Sequence, residues 1–318
     1  MKIYKLYFLK IVFFIFTAFL EAEQQPIFGF GLNTYLGIKN GNVQELVFED
    51  KAQISKLIWN QSISSQVGTD IDLRIWQFFL KINLNTSIPT KCGNMEDFDY
   101  LIPNMNEISH YSKHDAYLDK DFYITTYLSF RIHIHKKHYS LFPLVGFTYQ
   151  NRKWSAQNGY LQYPILIGQP WKGNEPKENL TGTIMSYEQA VWYPFAGIES
   201  KIFINNRWSF GLIGFYYPYI CIDSIDNHFL RLKQFYDIMR DGNGGKVEGW
   251  IIFKPIKYNG NFGFKISFNY EYFKTYGNTS YNDIGTNKHP FTKSNNSGSG
   301  TKSSLFSLTF GFIINHNI

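Results

Sequence analysis

The sequence predicts an all-β protein, a single up-and-down antiparallel transmembrane β-barrel of ten strands with short periplasmic turns and long extracellular loops. Three observations lead to this prediction. The 318 residues are 44% apolar and 19% aromatic, which argues against a disordered chain. Apolar and polar residues alternate with period two over long segments. Beyond the N-terminus, no apolar run approaches the roughly 18 residues of a membrane-spanning helix.

The N-terminus has the parts of a secretory signal peptide. A positively charged head precedes a short apolar core at 11–20, and Ala18 or Ala22 supplies a small residue before a cleavage site. An uncleaved anchor is the alternative, and the shortness of the apolar core argues against it. We therefore expect a signal peptide at 1–22 and one barrel domain at 23–318.

Charge and cysteine content exclude two further classes of protein. The formal net charge is +6, and it falls to +4 without the signal peptide, which holds three Lys and one Glu. Because no dense block of Lys and Arg appears, no nucleic-acid partner is expected. Cys92 and Cys221 are too few for a disulfide scaffold, and they leave open whether one bridge forms.

The alternation is clearest at 28–37, 122–135, 262–272 and 306–312, where one phase is apolar and largely aromatic and the other is polar. Successive side chains of a strand point to opposite faces. Several runs exceed the usual 5–6 residues of a strand, and roughly 9–11 tilted residues cross a bilayer. An aromatic outer face and a wet interior are typical of outer-membrane barrels. A soluble β-sandwich is the alternative, although its strands are usually shorter.

Turn signals set the number of strands. Four short turns alternate with five long loops, so ten strands result and both termini lie on the side of the short turns. The apolar phase slips within 71–84, which predicts a β-bulge. The predicted turns are Asn60-Gln61, Lys136-Lys137, Asn205-Asn206 and Asn259-Gly260, and the predicted loops are 39–44, 88–120, 159–183, 224–243 and 280–300.

The first candidate for chemistry is the acidic segment Gly93-Asn94-Met95-Glu96-Asp97-Phe98-Asp99-Tyr100. In an extended chain Asp97 and Asp99 share a face, because they are two residues apart. Two close carboxylates repel each other, so the pKa of one should rise. Such a pair is suited to holding or polarising a water molecule. A solvated acidic loop or a weak cation site is the alternative.

The second candidate is Asp226 with His228, which again lie two residues apart. A carboxylate beside an imidazole stabilises the imidazolium and allows the histidine to act as a general base on water. The first pair lies above strand 3 and the second above strand 7. In a ring of ten strands these positions are nearly opposite, so the two pairs would flank an extended peptide.

The chain resembles the omptins, outer-membrane proteases with a ten-stranded barrel. The segment 93–100 looks like the family's G-N-M-x-D-x-D-aromatic motif, and Asp226-Asn227-His228 looks like its D-x-H motif. The two acidic motifs occur in the same order as in the family. Supporting matches are Ser55-Lys56-Leu57-Ile58-Trp59, Pro194-Phe195-Ala196-Gly197 and Gly277-Asn278-Thr279-Ser280-Tyr281.

The resemblance implies a role for each motif residue. His228 would deprotonate a water molecule held between it and Asp97, and that water would attack the peptide carbonyl without an acyl-enzyme. Asp226 would orient and charge-stabilise His228, and Asp99 would help to position water or substrate. A further similar segment contains Ser112 and His114, an alternative serine-nucleophile pair that we expect to be supporting residues instead.

The family cleaves next to basic residues, and its pocket uses two acids. Glu45 matches the acid on the first hairpin. The second acid, which stands just before the D-x-H motif, is missing in register because Ser224 occupies its position and Asp223 lies one place off. A shift of one residue reverses the face of a strand. The preference for basic residues is therefore expected to be weaker or altered.

The resemblance implies no cofactor and makes a requirement for lipopolysaccharide doubtful. Omptins bind that lipid through outward basic residues, but Asn151 and Ala190 stand where Arg would be needed. Arg152 and Lys153 are the nearest substitutes. His133, His135 and His138 are a weak candidate for a zinc site, but no acidic third ligand is within sequence reach, so no metal site is expected.

These observations together predict a surface endopeptidase of the outer membrane with its active site facing the exterior. Its partners would be peptide or protein substrates with basic residues and the lipid of the outer membrane. Two alternatives remain open, a catalytically inactive barrel that acts as an adhesin or receptor, and a small pore.

Overall fold

The computed structural model describes residues 28–103, 106–135, 138–255, 262–284 and 292–317. Within these residues, no helix is long and apolar enough to cross a membrane. The predicted signal peptide lies outside the described residues, as do the turn signals Lys136-Lys137 and Asn259-Gly260. Those three predictions therefore remain predictions.

The described chain forms thirteen strand segments. They are β1 Phe28–Glu49, β2 Ala52–Ile75, β3 Phe78–Ser87, β4 Thr90–Asp99, β5 His110–Phe130, β6 Ile132–His135, β7 Tyr139–Gln162, β8 Glu178–Phe203, β9 Trp208–Tyr217, β10 Cys221–His228, β11 Lys233–Phe253, β12 Phe262–Asp283 and β13 Thr292–Asn317.

Three pairs of segments each make one interrupted strand, because the second member continues along a strand that the first also pairs with. β3 and β4 both pair with β2 and β5, and β9 and β10 both pair with β8 and β11. β6 continues β5 along β7. Pro89 and Pro218 lie at two of the breaks, where a residue without an N–H cannot donate to the ladder.

The segments therefore form ten antiparallel strands, and β1 closes the ring. It pairs with β2 along one edge and with β13 along the other, for example Leu36 with Val67 and with Phe310. A closed ring satisfies the backbone groups that lipid would leave unpaired. The predicted ten-stranded up-and-down barrel is confirmed.

The outer surface near the short-turn end is apolar and aromatic. Exposed side chains of this band include Leu36, Val145, Leu212, Phe268 and Phe310. β1 is 22 residues long, about twice the 9–11 residues that cross a bilayer. The strands therefore continue well beyond the membrane, and this continuation carries the predicted site residues.

The connections correct several turn predictions. Asn60-Gln61 lies inside β2, and the turn between β1 and β2 is Asp50-Lys51, where both residues have positive φ. The slip within 71–84 is the turn Trp76-Gln77 between β2 and β3, not a bulge. The turn at Asn205-Asn206 is confirmed.

Four predicted loops are largely strand. Residues 39–44 belong to β1, residues 88–120 include β4 and half of β5, residues 224–243 include much of β10 and β11, and residues 280–300 include the end of β12 and the start of β13. Outside the bilayer both faces of a strand meet water or polar side chains, so the alternation that identifies a strand disappears.

The interior below the site is filled by stacked aromatic rings and one buried cation. Tyr187 stacks on Trp59 and Trp154, with ring centroids 6.1 and 6.3 Å apart. The Arg152 guanidinium lies 5.2 Å from the Trp154 ring and 5.4 Å from the Phe273 ring. These side chains form the floor of the cleft at the exterior end of the barrel.

Candidate active site

Strand β10 directs three polar side chains into the barrel. Ser224, Asp226 and His228 alternate with outward residues, so they share the inner face. Asp226 is 2% exposed, and its Oδ2 accepts a hydrogen bond from Nε2 of His228. With the proton on Nε2, the other ring nitrogen is the basic one. The arrangement is that of a histidine oriented by a buried carboxylate.

The charge of His228 is set by groups on both sides of the ring. Burial by itself lowers the pKa of His228, but the charge and hydrogen bond of Asp226 and the charge of Asp97 outweigh burial, and the pKa is raised. Arg231, in the turn after β10, acts in the opposite direction. His228 is thus held as a stronger base than a free histidine.

Strand β4 directs Asp97 and Asp99 to the inner face from the opposite part of the ring. Ser55, on neighbouring β2, donates a hydrogen bond of 3.1 Å to Oδ1 of Asp97. Burial and the charge of Asp99 raise the pKa of Asp97, while His228, Ser55 and Arg231 oppose the rise. Burial likewise raises the pKa of Asp99.

The two pairs therefore share one cleft. Asp97 raises the pKa of His228, and His228 lowers the pKa of Asp97. Arg231 lowers the pKa of both aspartates and of the histidine, so it also belongs to the cleft. Sequence reasoning missed Arg231, because it lies in no motif; its only sequence signal is its position three residues after His228.

Glu45 lies on the same cross-strand row as Asp97. The row runs from Glu45 on β1 through Leu57 on β2 to Asp97 on β4. The Glu45 side chain is 3% exposed, and its Oε2 has no hydrogen-bond partner in the described part of the chain. Burial and the charges of Asp226, Asp237 and Asp97 raise its pKa well above the ordinary value.

Asp223 does not belong to this interior. It precedes Ser224 on β10 and therefore points to the other face. There its Oδ1 accepts a hydrogen bond of 2.5 Å from Nη2 of Arg240, and both side chains are one-third exposed. A basic substrate side chain inside the cleft would not meet Asp223.

Ser112 and His114 lie beside the acidic pair. Ser112 is the cross-strand partner of Asp97, and Nε2 of His114 lies 3.0 Å from Oγ of Ser112. The other ring nitrogen of His114 faces the carbonyl oxygen of Asn158. Burial lowers the pKa of His114. A role as supporting residues remains the prediction for this pair.

Arg152 and Lys153, the predicted substitutes for the lipid-binding arginines, point to opposite faces of the barrel wall. Arg152 is 1% exposed and points into the barrel, where its Nε donates to Gln189 and one Nη donates to Ser303. Lys153 points outward, within 3.9 Å of Glu188. Arg152 therefore has no contact with the outer surface, and Lys153 alone of the two faces the surroundings.

Two of the three histidines considered for a zinc site, His133 and His138, contact other groups in the described part of the chain. His133 lies 3.4 Å from Oγ of Ser140, and His138 faces the carbonyl oxygen of Phe203. The side chain of His135 lies outside the described residues. In the described ranges, no group of three His, Cys, Asp or Glu side chains is placed to hold a metal ion.

The comparison with known protein families identifies the family of the chain. The model of the Omptin family matches residues 28–314, which covers both β4 and β10. The chain belongs to the omptin family. The resemblance predicted from the acidic motifs is confirmed, and with it the outer-membrane location.

Individual relatives of this omptin are distant in sequence. A plasminogen activator of Yersinia pestis is 22% identical over 227 residues, which are 68% of this chain and 67% of that protein. The crystal structure of the outer-membrane protease OmpT from Escherichia coli matches with a TM-score of 0.79 at 17% identity. That match covers 93% of this chain and 99% of OmpT, and it confirms the fold.

Proposed function

We propose that this omptin is an endopeptidase that hydrolyses peptide bonds next to basic residues with a water molecule activated by His228. The single observation that carries the proposal is the position of His228 between two acids. Asp226 is hydrogen-bonded to its Nε2, and Asp97 acts on its charge from the opposite strand. The family supplies the reaction class, and this geometry supplies the residues.

In the proposed mechanism, neutral His228 removes a proton from a water molecule held between it and Asp97. The resulting hydroxide attacks the peptide carbonyl, and the C–N bond breaks as the imidazolium returns the proton to the leaving amine. Asp226 stabilises the imidazolium and fixes its orientation, and Asp99 helps to position the water or the substrate. No covalent bond to the enzyme forms, because the nucleophile is water.

The proposed substrate pocket lies below this water and contains Glu45. A buried carboxylate with an unpartnered oxygen favours a cationic ligand, since an unpaired buried charge is costly. Lys and Arg side chains supply the charge and the N–H donors. Cleavage next to a basic residue is the expected specificity.

The test is cleavage of a quenched peptide containing Arg-Arg by the refolded protein. We expect Asp226→Asn and His228→Ala each to lower kcat about 100- to 10,000-fold, the usual contribution of general base catalysis. Asp223→Asn is the matched control, because its carboxylate lies on the same strand, three residues before Asp226, but on the outer face. All three variants should keep the heat-resistant migration of a folded barrel.

Two results would contradict the proposal. Wild-type turnover by both active-site variants would remove the Asp–His mechanism. A folded wild-type protein that cleaves no basic peptide would point instead to an inactive barrel that acts as an adhesin or receptor.

A further inference from the structure

An acid on the neighbouring strand faces the place where the second pocket acid is missing. Asp237 on β11 is the cross-strand partner of Ser224 on β10. Ser224 Oγ donates a hydrogen bond of 2.8 Å to Oδ2 of Asp237. Directly opposite residues of an antiparallel pair project to the same face, with Cβ atoms about 5 Å apart. Asp237 therefore enters the space that an acid at position 224 would occupy.

Asp237 and Glu45 act on each other inside the barrel. Asp237 is 3% exposed, like Glu45, although the two residues come from strands on different sides of the cleft. The charge of Asp237 helps to raise the pKa of Glu45. Burial raises the pKa of Asp237 to about 6, against hydrogen bonds from Thr279 and Ser224 that lower it.

Two of the acids around this space, Glu45 and Asp226, have unmet bonding capacity. Oε2 of Glu45 is fully buried and has no hydrogen-bond partner among the described residues, and the same holds for Oδ1 of Asp226. The charged groups that most affect Glu45 are Asp226, Asp237 and Asp97, all of them acids. An ammonium or guanidinium group would supply both the opposite charge and the donors.

We propose that Asp237 is the second acid of the substrate pocket, and that it binds the basic side chain of the substrate together with Glu45. This inference rests on the proposed function for the identity of the ligand. Ser224 orients the Asp237 carboxylate through its hydrogen bond. In this chain the second acid stands on β11, at Asp237, and not on β10 at position 224. The pocket therefore still contains two acids although Ser224 departs from the family motif.

The test compares two quenched peptides that differ only in Arg or citrulline before the scissile bond. Citrulline keeps the size of arginine and lacks its charge. Asp237→Asn should reduce the Arg-over-citrulline ratio of kcat/KM by on the order of 10- to 100-fold, the range for a hydrogen bond to a charged group. The loss should appear mainly in KM for the Arg peptide. Asp223→Asn, which changes the outward acid, should leave the ratio unchanged.

A double variant tests whether the acid can serve the pocket from either strand, β10 or β11. Ser224→Asp combined with Asp237→Ser moves the acid across the hairpin while keeping one carboxylate and one hydroxyl. We expect it to regain much of the Arg preference that Asp237→Asn loses. An Asp237→Asn enzyme that cleaves both peptides with the wild-type ratio would overturn the inference and leave the proposed protease function standing.

Binding separates the two proposals when turnover is absent. Fluorescently labelled Arg and citrulline peptides are titrated against the full-length His228→Ala protein with and without Asp237→Asn. Tighter binding of the Arg peptide that disappears with Asp237→Asn supports the pocket even if the wild type cleaves nothing, in which case the proposed function alone fails. Equal binding of both peptides to the His228→Ala protein would overturn the pocket.

Discussion

His228 combines burial, which disfavours its charged form, with two acids that favour it. Asp226 provides a hydrogen bond as well as charge, whereas Asp97 acts through charge across the cleft. The acids prevail, and the raised pKa makes the ring a better proton acceptor. The cost is that more of the enzyme carries a protonated, inactive base as the pH falls.

Removing the charge of Asp97 should therefore lower the pKa of His228. A raised pKa reflects stabilisation of the imidazolium, so Asp97→Asn removes part of that stabilisation and the titration midpoint moves to lower pH. Arg231→Ala should move it the opposite way, because the Arg231 charge opposes protonation. The midpoint can be followed by NMR of the isotopically labelled histidine ring in detergent-solubilised protein.

The direction of the two shifts is the decisive result. Shifts of opposite sign for Asp97→Asn and Arg231→Ala would agree with one cleft that contains all three charges. An unchanged midpoint in Asp97→Asn would mean that β4 and β10 carry separate sites. His133, beside the short turns, provides an internal control, since its pKa should not respond to either substitution.

The site residues that can be identified from the sequence are those that lie in a short local motif. Asp97, Asp99, Asp226 and His228 lie two apart within their strands, so period-two geometry alone places each pair on one face. Asp237 carries no such mark. It meets Ser224 only through the register of a hairpin, which a single sequence does not reveal.

At the scale of strands, the exterior half of the barrel depends on bulges that adjust register. β1 shifts its pairing with β2 between Lys39 and Gly41, and β4 shifts its pairing with β5 between Lys91 and Gly93. Both glycines have φ near +145°, which side chains rarely adopt. Each bulge lies between the membrane band and a site residue, so it helps to aim Glu45 or Asp97 inward.

Gly41→Ala should destabilise the barrel by about 1–3 kcal/mol, the usual cost of a strained backbone conformation. A Cβ at this position would overlap the carbonyl oxygen of Ser304 in addition to the unfavourable φ. The urea dependence of the folded fraction on unheated gels measures the loss.

Gly214→Ala is the matched control. It lies in β9 with ordinary φ, and a Cβ there would meet no atom within 4 Å. Its stability should stay close to that of the wild type. Equal stability of both variants would show that the bulge at Gly41 is not strained.

Strand prediction succeeded inside the membrane and failed outside it. In 262–272 the alternation separates a lipid face from a wet interior, and β12 runs through all of these residues. At Asn60-Gln61 both residues are polar although β2 continues through them, because the strand there has passed beyond the apolar band. Apolar and polar side chains alternate along a strand only where one face meets lipid and the other faces the wet interior. The alternation therefore ends where the strand leaves the bilayer.

At the scale of the whole barrel, a layer of side chains separates the cleft from the short-turn end. Lys39 forms a buried ion pair of 2.5 Å with Asp121, which also accepts hydrogen bonds from Ser87 and Gln150. Arg152, the cross-strand partner of Asp121, lies beside this pair among aromatic rings. Below the layer is a cavity of about 340 Å³, whose lining includes charged side chains such as Lys81 and Glu199.

This layer argues against the pore hypothesis, since a ten-stranded ring is narrow and its interior side chains fill it. We expect wild-type protein in a planar bilayer to show no stable conductance steps. The double variant Lys39→Ala/Arg152→Ala removes the two long cations of the layer and should admit small steps by joining the cavity to the cleft. Lys153→Ala, which trims an outward side chain next to Arg152, should stay silent. Conductance of the wild type equal to that of the double variant would show that the layer does not block ions, and it would restore the pore as a function beside proteolysis.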